Sequence, residues 1–275
     1  MQNKYSISTD NKRIFYSIQK GDDEVLFFVH GLGGSVQGWE KMLPYLKKCK
    51  HTLIFIDIRG HGFSDKPTEP VECSMRMVAK DIVSILDKEN IDKITLVGHS
   101  YGSLFLPTFF DMYPDRLKRL VFISSTPSMK HKIYQRVGVG GLYYLILILD
   151  KIPITQKLLT GKGEHISINH VKRRHDFSIY LYLKDVKQVG LPIYKYFMKN
   201  VKEHNKSLVI EKIDVPTLII HGKSDKLIPK SRAEELNNSI KDSKLVLIEN
   251  MNHFPVFNSP KEVVEEITKF IKETK

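Results

Sequence analysis

Apolar residues along this chain recur in two rhythms. Val25 to His30, Thr52 to Asp57, Ile94 to Gly98, Leu117 to Ser125, Pro216 to Gly222 and Lys244 to Ile248 are short runs of mainly apolar, often β-branched residues, most of them ended by glycine or a polar cluster. Such runs predict strands covered on both faces, as in a parallel sheet. Ile14 to Gln19 alternates instead and reads as a further strand. The helical rhythm appears between them. Met77, Val78, Ile82, Ile85 and Leu86 share one face of a helix that Ser74 would cap and that ends near Glu89. Tyr101 to Tyr113 and Lys261 to Lys272 read as further helices. Strands alternating with helices predict an α/β fold with a mostly parallel central sheet flanked by helices. Residues 127 to 210 have no sheet character. They divide the chain into a core of 1–126 and 211–275 and an inserted segment of 127–210.

Composition narrows the setting. The 275 residues suffice for one sizeable domain with an insertion, and Cys49 and Cys73 form neither a C-x-x-C pair nor a disulfide framework. With no apolar signal core in Met1 to Asp10, the expected compartment is the cytoplasm. The most apolar run, Gly138 to Leu149, is shorter than the roughly 20 residues of a membrane span. The net charge of +12 is uneven: residues 127–210 carry 15 Lys and Arg against 5 Asp and Glu, a net of +10. No recognition motif accompanies this charge, so nucleic acid is not an expected partner. Contact of the basic segment with anionic surfaces is the weaker expectation that remains.

The candidate chemistry centres on Gly98-His99-Ser100-Tyr101-Gly102, a G-x-S-x-G pattern between a strand and a helix. In such a turn the glycines make room for a strained serine, so Ser100 is the candidate nucleophile. Gly31-Leu32-Gly33-Gly34 is not a phosphate loop, because Trp39 stands where lysine would be required. It fits an oxyanion loop, with the N–H groups of Leu32 and Tyr101 as donors. Asp225 follows the strand Pro216 to Gly222, and His253 follows the last strand. These are the candidate acid and base, with Glu249 as the rival acid. Asp57 and Arg59 are expected to brace loops. His165, His170 and His175, spaced by five, do not share a helix face and predict no metal site.

The order Ser100, Asp225, His253, the elbow Gly98 to Gly102 and the loop His30-Gly31-Leu32-Gly33-Gly34 together resemble the α/β-hydrolase superfamily. The loop Asp57-Ile58-Arg59-Gly60-His61-Gly62-Phe63-Ser64 is also similar to one that its esterases, lactonases, dehalogenases and epoxide hydrolases carry. The resemblance covers nearly the whole chain outside about residues 127 to 210. It implies a serine hydrolase acting on carboxylic esters without metal or organic cofactor. Dehalogenases and epoxide hydrolases of that family use aspartate where this chain has Ser100. The same triad serves carbon–carbon bond hydrolases and cofactor-free perhydrolases, and the fold also hosts small-molecule receptors and signalling proteins, which stand as alternatives. The resemblance further implies that residues 127–210 form a helical lid. Trp39, Phe105, Phe109, Leu142 and Leu145 are then the expected pocket for a small-molecule ester with an apolar acyl group.

Overall fold

The apolar runs do become strands, and they assemble side by side. The computed structural model describes residues 1–129, 139–159, 161, 163–165, 167, 169, 171–176 and 179–274. Its single sheet contains β1 (Gln2–Ile7), β2 (Arg13–Gln19), β3 (Val25–Val29), β4 (Thr52–Ile56), β5 (Ile94–His99), β6 (Leu117–Ile123), β7 (Thr217–Gly222) and β8 (Ser243–Ile248). The order is β1-β2-β4-β3-β5-β6-β7-β8, with β1 and β2 antiparallel to their neighbours and the remaining pairs parallel. β1 went unpredicted because its residues, Gln-Asn-Lys-Tyr-Ser-Ile, are mostly polar and exposed. Pairing with β2 at the sheet edge, rather than burial, holds it.

Side-chain alternation within each buried strand feeds two apolar clusters, one on each face. Phe27, Val29, Ile54, Ile56, Leu96 and Phe122 face one cluster, and Leu26, Phe28, Leu53, Phe55, Val97 and Val121 the other. The flanking helices supply the rest: α1 (Met75–Lys88) and α2 (Leu106–Met112) to the first cluster, α8 (Pro260–Glu273) to the second. α7 (Lys230–Ser239) packs beside β7 and β8. Two local expectations differ. Ser74 stands at the N-cap of α1 with extended backbone, but its side chain makes no capping bond. The helix expected from Tyr101 opens as a tight 3-10 turn over Ser100–Phe105, and α2 begins only at Leu106 with Pro107 in its first turn. Proline is favoured there because the first-turn N–H needs no partner within the helix.

Between β6 and β7 the chain forms α3 (Val139–Asp150), α4 (Pro153–Leu158), α5 (Ile179–Val189) and α6 (Leu191–Glu203). The ends of this segment meet: Met129 N–H donates to the His204 carbonyl at 2.9 Å and Lys206 N–H to that of Pro127 at 3.0 Å. α3 packs on α6, with Ile146 of α3 buried in the same cluster as Leu191, Tyr194, Phe197 and Met198 of α6. Among the described residues no helix is long and apolar enough to cross a membrane. Cys49 and Cys73 are both free thiols.

Candidate active site

The turn after β5 leaves Ser100 in left-handed backbone geometry, φ 52°, which an L-residue adopts only when its surroundings compel it. The glycines on either side are those surroundings. A Cβ on Gly102 would lie 2.1 Å from the Val29 carbonyl oxygen, and one on Gly98 would lie 2.5 Å from the Ser103 Cα. β3 and the following turn therefore press directly on the elbow. Ser100 ends at the carboxyl edge of the sheet, the edge from which the loops after β3, β7 and β8 also rise.

Those loops bring together the residues singled out by their order. Ser100 Oγ donates to His253 Nε2 at 2.8 Å, and His253 Nδ1 donates to Asp225 Oδ2 at 2.7 Å. The other Asp225 oxygen accepts the N–H groups of Leu227 and Ile228, both at 2.8 Å. Burial pushes the Asp225 carboxyl up, but the charge and hydrogen bond of His253, then His221 and the Ile228 N–H, more than offset this and hold it below its usual range. An ionised carboxylate behind an imidazole fixes the tautomer whose Nε2 accepts the serine proton. Glu249 is on the surface, paired with Lys223. Leu32 stands at the tip of a turn closed by Gly34 N–H to the Gly31 carbonyl, with Gly33 at φ +74°. Leu32 and Tyr101 both line the space around Ser100.

The remaining buried histidines act on loops. His30 Nε2 accepts from Ile58 N–H at 3.0 Å, His61 Nε2 accepts from Gly33 N–H at 3.1 Å, and His99 Nε2 donates to the His253 carbonyl at 3.1 Å. Burial lowers all three pKa values: His30 falls well below its ordinary value, His61 to about 4 and His99 to about 3, the last also through the neighbouring His253. Asp57 ties the same loops, accepting from Val36 and Phe63 N–H groups at 2.7 and 2.8 Å. Arg59, fully buried, grips Asp81 with two donors at 2.6 and 2.7 Å and Asp10 at 2.8 Å.

A cavity of about 160 Å3 opens over Ser100 and His253. Its walls come from the sheet core (Trp39, Leu104, Phe254, Phe257) and from the segment between β6 and β7 (Tyr194, Met198, Val201). Of the expected pocket residues, Trp39 lines it. Phe105 and Phe109 do not: both are fully buried in the apolar cluster beneath the elbow, on the inner side of the turn. Leu145 is corrected as well, being 49% exposed on the outer face of α3. The Leu142 side chain, like His131 and His170, lies outside the described residues. Among the described residues no group of three or more His, Cys, Asp or Glu side chains is gathered as for a metal ion.

Charged residues of the inserted segment also reach the site, Asp176 and Asp185 among them unforeseen. Buried Asp176 accepts His253 N–H through Oδ1 and Lys226 N–H through Oδ2, both at 2.9 Å, stitching the acid loop to the base loop. Arg174 lies 4.4 Å over the Phe254 ring, donates to Asp185 Oδ2 at 2.7 Å, and its carbonyl accepts from Asn252 at 2.7 Å. Burial raises Asp185 to about 6 although Arg174 opposes the shift. A sequence signal existed for Asp176: it is the first acid after the basic run Lys172-Arg173-Arg174, with His175 between them. Finding its partners required the fold.

Comparison with known proteins agrees with this fold. Residues 24–144 match a family model described as alpha/beta hydrolase fold, and residues 183–262 match one described as Serine hydrolase (FSH1). Epoxide hydrolase 1 of Caenorhabditis elegans is 26% identical over 94% of this chain and 68% of its own length. Protein ABHD8 of Mus musculus is 23% identical over 90% of this chain, which spans only 55% of that protein. Among solved structures, an esterase (EaEST) from Exiguobacterium antarcticum superposes with a TM-score of 0.77 at 18% identity, covering 98% of this chain and all of the other.

Proposed function

Because this chain belongs to the α/β-hydrolase superfamily, we propose that it is a serine hydrolase that cleaves carboxylic esters. The observation that carries the reading is the unbroken relay from Ser100 through His253 to Asp225, at 2.8 and 2.7 Å. In this mechanism His253 takes the Ser100 proton as Oγ attacks the ester carbonyl. The Leu32 and Tyr101 N–H groups stabilise the oxyanion, and Asp225 orients His253 and stabilises the imidazolium. His253 then protonates the departing alcohol, and a water activated by the same imidazole releases the acid from Ser100. The reading differs from epoxide opening because the elbow carries a serine, not an aspartate. It treats residues 127–210 as a lid whose α6 closes the apolar wall, suiting an apolar acyl group.

Turnover of a series of aryl esters with increasing acyl length tests the proposal. Hydrolysis with a defined optimum in chain length is expected. Absence of turnover across the whole series would overturn it.

A further inference from the structure

Among the described residues, six of the thirteen exposed large apolar side chains lie on α3, α4 and the turn between them. Gly141, Tyr144, Leu145 and Ile148 fall at i, i+3, i+4 and i+7 on α3, so they share one face. Tyr144, Leu145 and Ile148 are 56%, 49% and 60% exposed. The stripe continues through Ile152 and onto α4, where Ile154 and Leu158, four residues apart, are each 65% exposed. An apolar stripe turned to solvent marks a contact surface.

The exposed charge within it is of one sign. Lys151 and Lys157 are exposed within the stripe, and Lys202 sits 4.8 Å from the Tyr144 ring at its edge. The sole acid of residues 139–159, Asp150, is buried and paired with Lys195 at 2.5 Å. We propose that α3 and α4 form an interfacial surface for an anionic lipid bilayer: the lysines engage the headgroups while Leu145, Ile148, Ile154 and Leu158 enter the acyl boundary. A second copy of the chain is the poorer occupant, because a self-complementary contact would set two segments of net charge +10 against each other.

The surface lies one helix away from the active-site cavity. The inner face of α3 packs through Ile146 on α6, whose Tyr194, Met198 and Val201 line that cavity. A bilayer held on α3 would therefore place acyl esters next to the apolar wall over Ser100. That delivery rests on the ester-hydrolase reading, whereas the binding does not.

Cosedimentation at low ionic strength separates the two. The wild type is expected to pellet with phosphatidylcholine vesicles doped with phosphatidylglycerol, not with phosphatidylcholine alone, and to be released by salt. Replacing Lys151 or Lys157 by Gln should lower the partition coefficient about fivefold for each lysine removed. Ile148→Gln with Ile154→Gln should lower it further while leaving hydrolysis of a soluble short-chain ester unchanged, which shows that the fold is intact. Equal sedimentation with both vesicles, none with either, or binding indifferent to these substitutions would overturn the proposal. So would a low-salt dimer that Ile148→Gln dissolves, which would assign the stripe to a second copy. Anionic-vesicle binding without ester turnover would uphold the surface and overturn the delivery step and the esterase reading together.

Discussion

In the sheet core the loops around Ser100 are tied by Asp57 and by imidazoles kept neutral through burial, whereas the segment between β6 and β7 packs on them through the apolar side of α6 and reaches the site loops through charged groups. His30, His61 and His99 each bond a backbone group of a neighbouring loop, and burial lowers the pKa of each. From the other side, His165 reaches Asp57, Asp176 accepts from the His253 and Lys226 N–H groups, and Arg174 pairs with Asp185 beside Gly33. The difference separates two tasks. A network of buried neutral donors and acceptors fixes geometry with little dependence on salt. Leu191, Tyr194, Phe197 and Met198 of α6 join the apolar cluster of the sheet and carry the packing across this boundary, whereas the charged contacts set the positions of single loops, so their loss should change catalysis more than folding.

Substitutions can break this comparison at either side. The largest effect is expected in the core: Ser100→Ala should reduce ester turnover on the order of 10⁶-fold, since a triad acts as a unit, with the melting temperature essentially unchanged. Steady-state kinetics and thermal melting of the same sample check both halves. Next, Asp225→Asn should slow turnover by roughly 10⁴-fold by presenting the wrong imidazole tautomer, while Glu249→Gln, on the surface beside Lys223, should leave it within about twofold. The reverse ranking would put the acid on the other loop.

The boundary contributes a smaller term. Asp176→Ala releases two backbone N–H groups at once and should lower kcat about 10- to 100-fold, the scale of an ångström-sized misplacement of a catalytic group. Asp176→Asn keeps one acceptor and should recover part of the loss. A purely structural role would lower stability and leave the kcat of the folded fraction untouched.

The smallest effects lie in the pH dependence of stability, where His61 of the core and Asp185 of the inserted segment have opposite signs. The folded pKa of His61, about 4, is below its ordinary 6.5, so the stability it contributes is complete above pH 6.5 and is lost as pH falls toward 4. Asp185, raised from 3.8 to about 6, holds its proton longer in the folded state, so stability there is lost as pH rises through that window. Denaturant titrations between these limits should therefore show a flatter slope for His61→Gln and a steeper one for Asp185→Asn, each by about 1 kcal/mol per pH unit. Equal slopes in both variants would remove the distinction.

Much of the core was legible because its signals are local. A run such as Leu-Phe-Phe-Val before Gly31 needs no partner to read as a buried strand, and Gly98 and Gly102 announce the elbow that their close contacts with Ser103 and Val29 explain. The order Ser100, Asp225, His253 could be singled out because each residue stands in the turn or loop that follows a strand. What escaped depends on contacts distant in sequence. β1 is polar and exists by pairing, and the rhythm of α2 did not tell which side of the turn Phe105 and Phe109 would occupy. Asp176 meets His253 across 77 positions of the chain. The apolar run ending at Leu149 has one face turned to solvent, which its sequence did not announce, since amphipathic rhythm cannot be read where both faces are apolar.

The central claim is that Ser100 is the nucleophile of a working triad, and covalent labelling tests it most directly. Wild-type protein treated with a fluorophosphonate, digested and mapped by mass spectrometry should carry one adduct, on Ser100, formed in step with loss of ester turnover. His253→Ala, which removes the base 2.8 Å from Oγ, should be labelled far more slowly. An adduct on another residue, or full turnover by protein whose Ser100 is labelled, would contradict the account.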